Sequence, residues 1–307
     1  MDSFYLNEDS ENEYDEFTAL FKYYKQKVSK PNFNEVIDFK RNADRFAKTL
    51  LSVPGDKRNL GLKDVSTWES YQLDNCPGFH FIPDPFTAEG KNKWSRQCVE
   101  DYPCDQNETN IGFLSETPWK ISNEILQSTP KNHLSRYSKQ LKVLKTTPVW
   151  KLRWATLGLR YNWNTKEYFQ SGCSTFPAEV NDLSCVIASA IGWKNYKAEV
   201  AIVNYYHVGT NICPHTDHSE KDLSCPLVSV SFGLPAIFLL GGQTKDTKPS
   251  AIMVRSGDVI VMSGPSRLAY HAVPRIIDDD VDCGSADPLD VYLNHTRINL
   301  NVRQFQT

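Results

Sequence analysis

The first regular pattern in the chain is the spacing of Phe17, Leu20, Phe21 and Tyr24, with Lys22, Lys25 and Lys27 at other positions. Apolar residues recurring at three and four predict an amphipathic helix, and Pro31 ends it because proline cannot extend a helix. A second helix is predicted over residues 39–50, whose basic members are Lys40, Arg41, Arg45 and Lys48. Two proline-bounded pieces follow, 51–72 and 77–85. Within the latter, Gly78-Phe79-His80-Phe81-Ile82 reads as a short strand. Residues 94–102 suit another short helix, 153–163 a strand with an aromatic end, and 176–191 a helix. Beyond them lie short apolar runs at 199–206, 227–232, 236–240, 251–254, 259–262 and 298–303, separated by Gly, Pro, Asp and Ser. That spacing predicts strands. Without helices between them, a closed or sandwiched antiparallel core fits better than a parallel sheet.

The pattern divides the chain into a disordered acidic tail at 1–16, a helical extension at 17–130 packed on the core, a basic segment with support region at 131–200, and a core at 201–307. The last two form one unit. The fold class expected is mainly β with flanking helices, α+β. A length of 307 residues with 40% hydrophobic content gives enough apolar material for a sizeable core.

A formal charge of −3 decides nothing about nucleic acid by itself, but its distribution is uneven. Seven acidic and no basic residues lie between Asp2 and Glu16, which does not look like a mitochondrial leader. Between Lys131 and Arg153 there are seven basic residues and no acidic one, with Tyr137, Leu141, Leu144, Trp150 and Trp154 among them. Such a mixture can meet phosphates and offer stacking contacts, and it equally suits a basic amphipathic helix packed on its own domain. The eight cysteines lack C-x-x-C spacing and read as reduced thiols, with Cys213 a small hydrophobe rather than a ligand. No run approaches the roughly 18 apolar residues that a bilayer span requires.

Candidate chemistry concentrates after residue 201. His215 and Asp217 stand at i and i+2, so on an extended stretch they point to one side. A second strand carrying His271 across would complete two imidazoles and a carboxylate. Three ligands on one face leave the other open for iron(II) to take an organic acid and O₂. Alone, His-x-Asp also occurs as a surface turn pair. Near the end, Arg297 and Asn299 alternate with Ile298 and Leu300, and Arg303 extends the same face. A buried arginine needs a partner; a dicarboxylate or an internal Asp or Glu would serve. Asn204 and Tyr206 share a face upstream by the same alternation.

At this point the sequence resembles the AlkB family of iron(II)- and 2-oxoglutarate-dependent dioxygenases, most closely its eukaryotic AlkB homologue 1 branch. The resemblance runs over residues 17–304. It is strongest in 152–163, Ile202-Val203-Asn204-Tyr205-Tyr206, 215–220, 227–242, Ser256-Gly257-Asp258, Ser266-Arg267-Leu268, His271-Ala272-Val273-Pro274-Arg275 and 297–304. It implies a double-stranded β-helix, a distorted jelly roll with flanking helices, with His215, Asp217 and His271 as iron ligands. It implies that Arg297, helped by Tyr206, holds the distal carboxylate of 2-oxoglutarate, with Asn204, Asn299 and Arg303 around the remainder and the metal end. Trp154 and Tyr161 match lid positions that face the target base in relatives, while Trp154 read by itself also suits the core. Repair members carry an acid two positions after the aspartate ligand; here Ser219 stands there, followed by Glu220. These two are expected near the substrate in a different arrangement. The acidic stretch Asp278-Asp279-Asp280-Val281-Asp282 reads as a surface loop.

The expected activity is oxidative demethylation of a nucleic-acid base using iron(II), 2-oxoglutarate and O₂, with ascorbate as reductant in assays. N1-methyladenine in tRNA is favoured, with oxidation of tRNA 5-methylcytosine or N6-methyladenine in unpaired or bulged DNA as further substrates. Lys139, Lys142 and Lys145, with the lysines between residues 22 and 48, are the expected phosphate contacts. Alternatives are a histone or protein demethylase and a non-catalytic RNA-binding protein. A monomer without a membrane partner is expected, in nucleus or cytoplasm, with a mitochondrial location left open.

Overall fold

The computed structural model describes residues 15–27, 31–41, 46, 48–51, 59–112, 114–129, 137–169, 173–278 and 287–306. Residues 1–14 of the expected tail, 131–136 of the basic segment and 279–282 of the acidic loop lie outside them.

Two antiparallel sheets face one another. The larger runs β1 (Lys48–Leu50), β2 (Glu69–Leu73), β3 (Cys76–Ile82), β12 (Val259–Met262), β9 (Leu227–Gly233), β14 (Thr296–Arg303), β7 (Val200–His207), β4 (Trp154–Gly158). The smaller runs β11 (Ser250–Val254), β10 (Ala236–Leu240), β13 (His271–Ile276), β8 (Ile212–His215). Between them lie Tyr206, Leu227, Ile260 and Met262 from the larger sheet and Phe238, Leu240 and Val273 from the smaller. This is the double-stranded β-helix in a mainly β, α+β chain.

Helices cover the outer faces. Behind the larger sheet, α2 (Ala88–Arg96), α3 (Pro118–Ser128) and α6 (Ala178–Ala190) bury Trp94, Leu126, Leu183 and Ile187 against Val203, Phe232 and Leu300. Trp94 donates its indole N–H to the Leu60 carbonyl at 2.8 Å, so its one polar atom is satisfied in the core. Over the smaller sheet, α1 (Glu16–Lys25) lays down Phe17, Phe21 and Tyr24 against Ile237, Leu239, Ala251 and Ala272. That is the apolar face read from the sequence. Asp15 caps the helix by accepting the Thr18 N–H at 2.7 Å.

Three expectations change. Residues 39–41 form a turn and 48–50 the edge strand β1, rather than parts of one helix. Phe39 is drawn into a stack with Tyr71 and Phe81. Arg255 holds Asp38 and Lys40 holds Asp258, so long-range partners fix this segment more strongly than helix propensity does. The 17–130 extension is not only helical, because β1, β2 and β3 lengthen the larger sheet. Finally, the strand expected over 153–163 breaks at Gly158. Its φ is +81°, and a Cβ there would lie 2.2 Å from the Glu199 carbonyl oxygen. The chain turns there and continues as a separate hairpin, β5 (Arg160–Asn162) with β6 (Glu167–Phe169).

Candidate active site

β8 ends at His215 and β13 begins at His271, and the two residues are direct cross-strand partners. Directly opposed residues share one face of a sheet, and the two rings lie with centroids 4.3 Å apart. Each ring is fixed through Nδ1: His215 on the Cys213 carbonyl at 2.9 Å, His271 on the Ala269 carbonyl at 3.1 Å. Donation from Nδ1 leaves Nε2 as the lone-pair nitrogen. Each Nε2 lies 3.9 Å from a carboxylate oxygen of Asp217, and the ligand atoms of the three residues lie within 4.8 Å of one another. No other such group of three occurs among the described residues. Two imidazole nitrogens and one carboxylate on one side of a cavity fit an open-faced divalent centre.

Burial alone would raise the Asp217 carboxyl, but Arg303, His271 and His215 together hold it far below the usual carboxylate range. Arg303 Nη2 sits 2.7 Å from Asp217 Oδ2. Burial, and then the neighbouring His215, pushes His271 down to about 4, so it is neutral and can ligate at neutral pH.

β14 forms the floor of a cavity of about 240 Å³. Arg297, Asn299, Asn301 and Arg303 alternate along it and all line that space, flanked by Tyr206, Asn204 and Ile202 of β7 and by Ser229 and Leu227 of β9. Arg297 is 3% exposed and, among the described residues, makes no ion pair with a carboxylate. Nη2 donates to Ser231 Oγ at 3.0 Å, while Nε and Nη1 are buried without a hydrogen bond. Burial pulls its pKa down to about 10, so the guanidinium remains charged. A buried cation with two unanswered donors is costly unless an anion completes it, and a bidentate carboxylate matches that fork. Among the described residues no Asp or Glu hydrogen-bonds to Arg297, and Asp258 acts on it only at longer range. Asn299 is tied back to Ser229 Oγ at 2.7 Å and to the Val230 carbonyl.

The hairpin β5–β6 supplies the mouth. Tyr161 faces Ser219, with their hydroxyls 3.1 Å apart, and both residues line the cavity. Trp154 does not line it. Its ring lies 4.9 Å from Trp163, and Trp163, 44% exposed, stands on the cavity wall. Of the two indoles, Trp163 is the one that lines the cavity, while Trp154, on β4, is the cross-strand partner of Asn204 on β7. Glu220 reaches the cavity wall, with Oε2 accepting from Arg267 at 2.6 Å and Oε1 in an ion-pair contact 3.2 Å from Arg303 Nε that makes no hydrogen bond. Lys139, Lys142 and Lys145 are exposed on and just after α4 (Tyr137–Leu144), outside the cavity lining. Lys145 lies over Trp150, whose ring stacks on His207 of β7 at 3.9 Å.

Sequence reasoning missed Asn301, Trp163, Tyr168 and Arg267. Asn301 follows from carrying the alternation on β14 one step further. Tyr168 pairs with Tyr161 across the hairpin, which nothing before the hairpin turn announces.

Comparisons with known proteins agree with this geometry. Residues 78–303 match the 2OG-Fe(II) oxygenase superfamily. The mouse protein named nucleic acid dioxygenase ALKBH1 is 36% identical, over 94% of this chain and 84% of its own length. The Arabidopsis thaliana DNA N(6)-methyladenine demethylase ALKBH1A is 31% identical over 91% of this chain and 89% of its own. A fission yeast protein named tRNA demethylase abh1 is 43% identical over 50% of this chain and 53% of its own. In fold, the solved structure of OsALKBH1 aligns with a TM-score of 0.52 at 21% identity, covering 76% of this chain and 99% of that one. The chain is thus an enzyme of the iron(II)- and 2-oxoglutarate-dependent oxygenase superfamily, and it belongs to the AlkB family in its AlkB homologue 1 branch.

Proposed function

We propose that the chain is a nucleic-acid dioxygenase that removes methyl groups from nitrogens of unpaired bases, with N1-methyladenine in tRNA as its first substrate. One observation carries this: a single cavity joins the His215–Asp217–His271 cluster, the unanswered guanidinium of Arg297 and an aromatic hairpin. When bound there, iron(II) and 2-oxoglutarate supply the oxidising power. Held by His215, Asp217 and His271, that chemistry would oxidise an N-methyl group to a hydroxymethyl group lost as formaldehyde, with succinate and CO₂ as co-products.

The chain's own task is placement. His215 and His271 present Nε2, and Asp217 presents a carboxylate held by Arg303. Arg297 takes the distal carboxylate of 2-oxoglutarate, with Tyr206 as its neighbour across the strands and Asn204 and Asn299 beside it. Trp163 and Tyr161 offer aromatic surface to a base that has left its stack, which costs least in loops and single strands. Ser219 stands beside them as a hydroxyl donor or acceptor.

The names of the relatives support nucleic acid over protein, and the fission yeast one supports tRNA. The Arabidopsis one supports a second reading, N6-methyladenine in unpaired DNA. The test is mass spectrometry of nucleosides from tRNA and from single-stranded DNA after incubation with the chain, iron(II), ascorbate and 2-oxoglutarate. Loss of N1-methyladenine with the wild type but not with Asp217→Ala is expected. Loss of N6-methyladenine alone, or gain of oxidised 5-methylcytosine alone, would replace the substrate. Turnover of 2-oxoglutarate with neither pool changed would favour a histone or other protein substrate, and no turnover at all would favour a silent RNA-binding protein.

A further inference from the structure

Beneath the candidate metal ligands lies a buried ionic group that the proposed chemistry does not use directly. Arg267 sits in the short turn at Gly264–Leu268, four residues before His271. Its side chain is 2% exposed, and all three of its donor groups are spent on one segment, the connection between β8 and β9. Nη1 donates to the Asp217 carbonyl at 2.6 Å, Nη2 to Glu220 Oε2 at 2.6 Å and Nε to the Cys225 carbonyl at 3.2 Å. Glu220, buried as well, meets the next arginine as an ion pair rather than a hydrogen bond, its Oε1 lying 3.2 Å from Arg303 Nε. Arg303 in turn holds Asp217 Oδ2 at 2.7 Å.

We propose that Arg267 and Glu220 are positioning residues for Asp217. Arg267 fixes its main chain directly, and Glu220 fixes its carboxylate by holding Arg303 in place. Two arginines and two carboxylates balance one another there, so the carboxylate is formed and aimed before any cation arrives. Because Arg267 also lies just before His271, it ties together the two segments that carry the ligands. Glu220 has a second purpose within the group. It shares the Arg303 guanidinium, so Arg303 does not draw on Asp217 alone and Asp217 remains available to a cation. Partners of metal ligands outside the coordination sphere commonly set affinity by about 10–100-fold.

This rests on the reading of His215, Asp217 and His271 as a metal centre, and the experiment separates the two. Mn(II) binding to the full chain is titrated by calorimetry, well below the thermal midpoint of each variant. Arg267→Lys keeps the charge but reaches one acceptor where arginine reaches three, so a change reads geometry. Glu220→Gln keeps the shape and removes the charge. Each should weaken Mn(II) by about tenfold or more. The double variant should be less impaired than the product of the two, as coupled neighbours are. The KM for 2-oxoglutarate should move much less than the apparent metal requirement, a split that general loosening of the fold would not give. Should Arg267→Lys fail to fold, Glu220→Gln alone decides. Affinity within twofold of wild type in the folded variants overturns the inference and leaves the metal centre standing. A wild-type chain that does not bind Mn(II), or an Asp217→Ala variant that binds it equally well, overturns the metal-centre reading and this inference with it.

Discussion

Arg297 shows how a residue becomes a binding site by what it lacks. Its guanidinium is enclosed between two sheets, Ser231 satisfies one nitrogen, and among the described residues no carboxylate hydrogen-bonds to the others. Replacing it with lysine keeps a charge but not the planar fork. Arg297→Lys should raise the KM for 2-oxoglutarate by at least about tenfold, roughly one charge-assisted hydrogen bond, with a smaller fall in kcat. Steady-state assays of succinate formation against 2-oxoglutarate concentration check this. An unchanged KM would show that another group holds the distal carboxylate. The polar face of β14 was legible at this scale because strands alternate their side chains and β14 pairs with β7 and β9 without a register shift. The spending of Glu220 on two arginines was not, since Arg267 and Arg303 stand 47 and 83 positions away from it in the sequence.

Among the elements, the hairpin β5–β6 lines the mouth of the cavity and helix α4 carries exposed lysines outside it. The hairpin is closed by Asn162, whose side-chain oxygen accepts the N–H groups of Asn164 and Thr165, and by Lys166 at φ +59°. A non-glycine residue there carries strain of about 1 kcal/mol or more, tolerated because the turn holds the aromatic pair Tyr161 and Tyr168 over the cavity. Helix α4 and the turn after it present Lys139, Lys142 and Lys145. Replacing all three with alanine should weaken tRNA binding. It should also lower the slope of log affinity against log salt by up to about 2, for three phosphates at roughly 0.7 each. Filter binding across a salt series reads both, and an unchanged slope would mean that these lysines only solvate the helix. The strands and the amphipathic helices were readable from their periods. Residues 39–50 were misread because their helical look rested on propensity, while Arg255, Asp258, Tyr71 and Phe81 impose another path.

For the whole molecule, the layers are coupled by buried polar contacts whose protonation states matter. His207, at the end of β7, is buried under Trp150 and bonded to Thr296 Oγ1 and the Trp150 carbonyl. Burial pushes its pKa down to about 4, well below that of a histidine in an unfolded chain. The unfolded state therefore takes up the proton first, and stability should fall as pH drops from about 6.5 toward 4, by on the order of 1–2 kcal/mol near pH 5. Urea unfolding of the metal-free chain at pH 7.5 and at pH 5 measures it. His207→Gln should reduce the difference, the remainder coming from His271 and His80, which burial also pushes down, and an equal slope in that variant would place the titration elsewhere.

The sequence by itself determined the period of α1 and of most strands after residue 199, the single face shared by Arg297, Asn299 and Arg303, and the three candidate ligands. Backbone geometry and side-chain chemistry are local properties, and the resemblance to the AlkB family rests on those same residues. Only the tertiary structure decided that Trp163 rather than Trp154 lines the cavity, that strands from residues 48–82 lengthen the larger sheet, and that Arg297 makes no ion pair among the described residues while Arg303 and Glu220 do. Those outcomes depend on which distant side chains arrive at the same buried place. Desolvation there makes every unpaired charge costly, so the arrivals fix which charges are spent within the fold and which wait for a ligand.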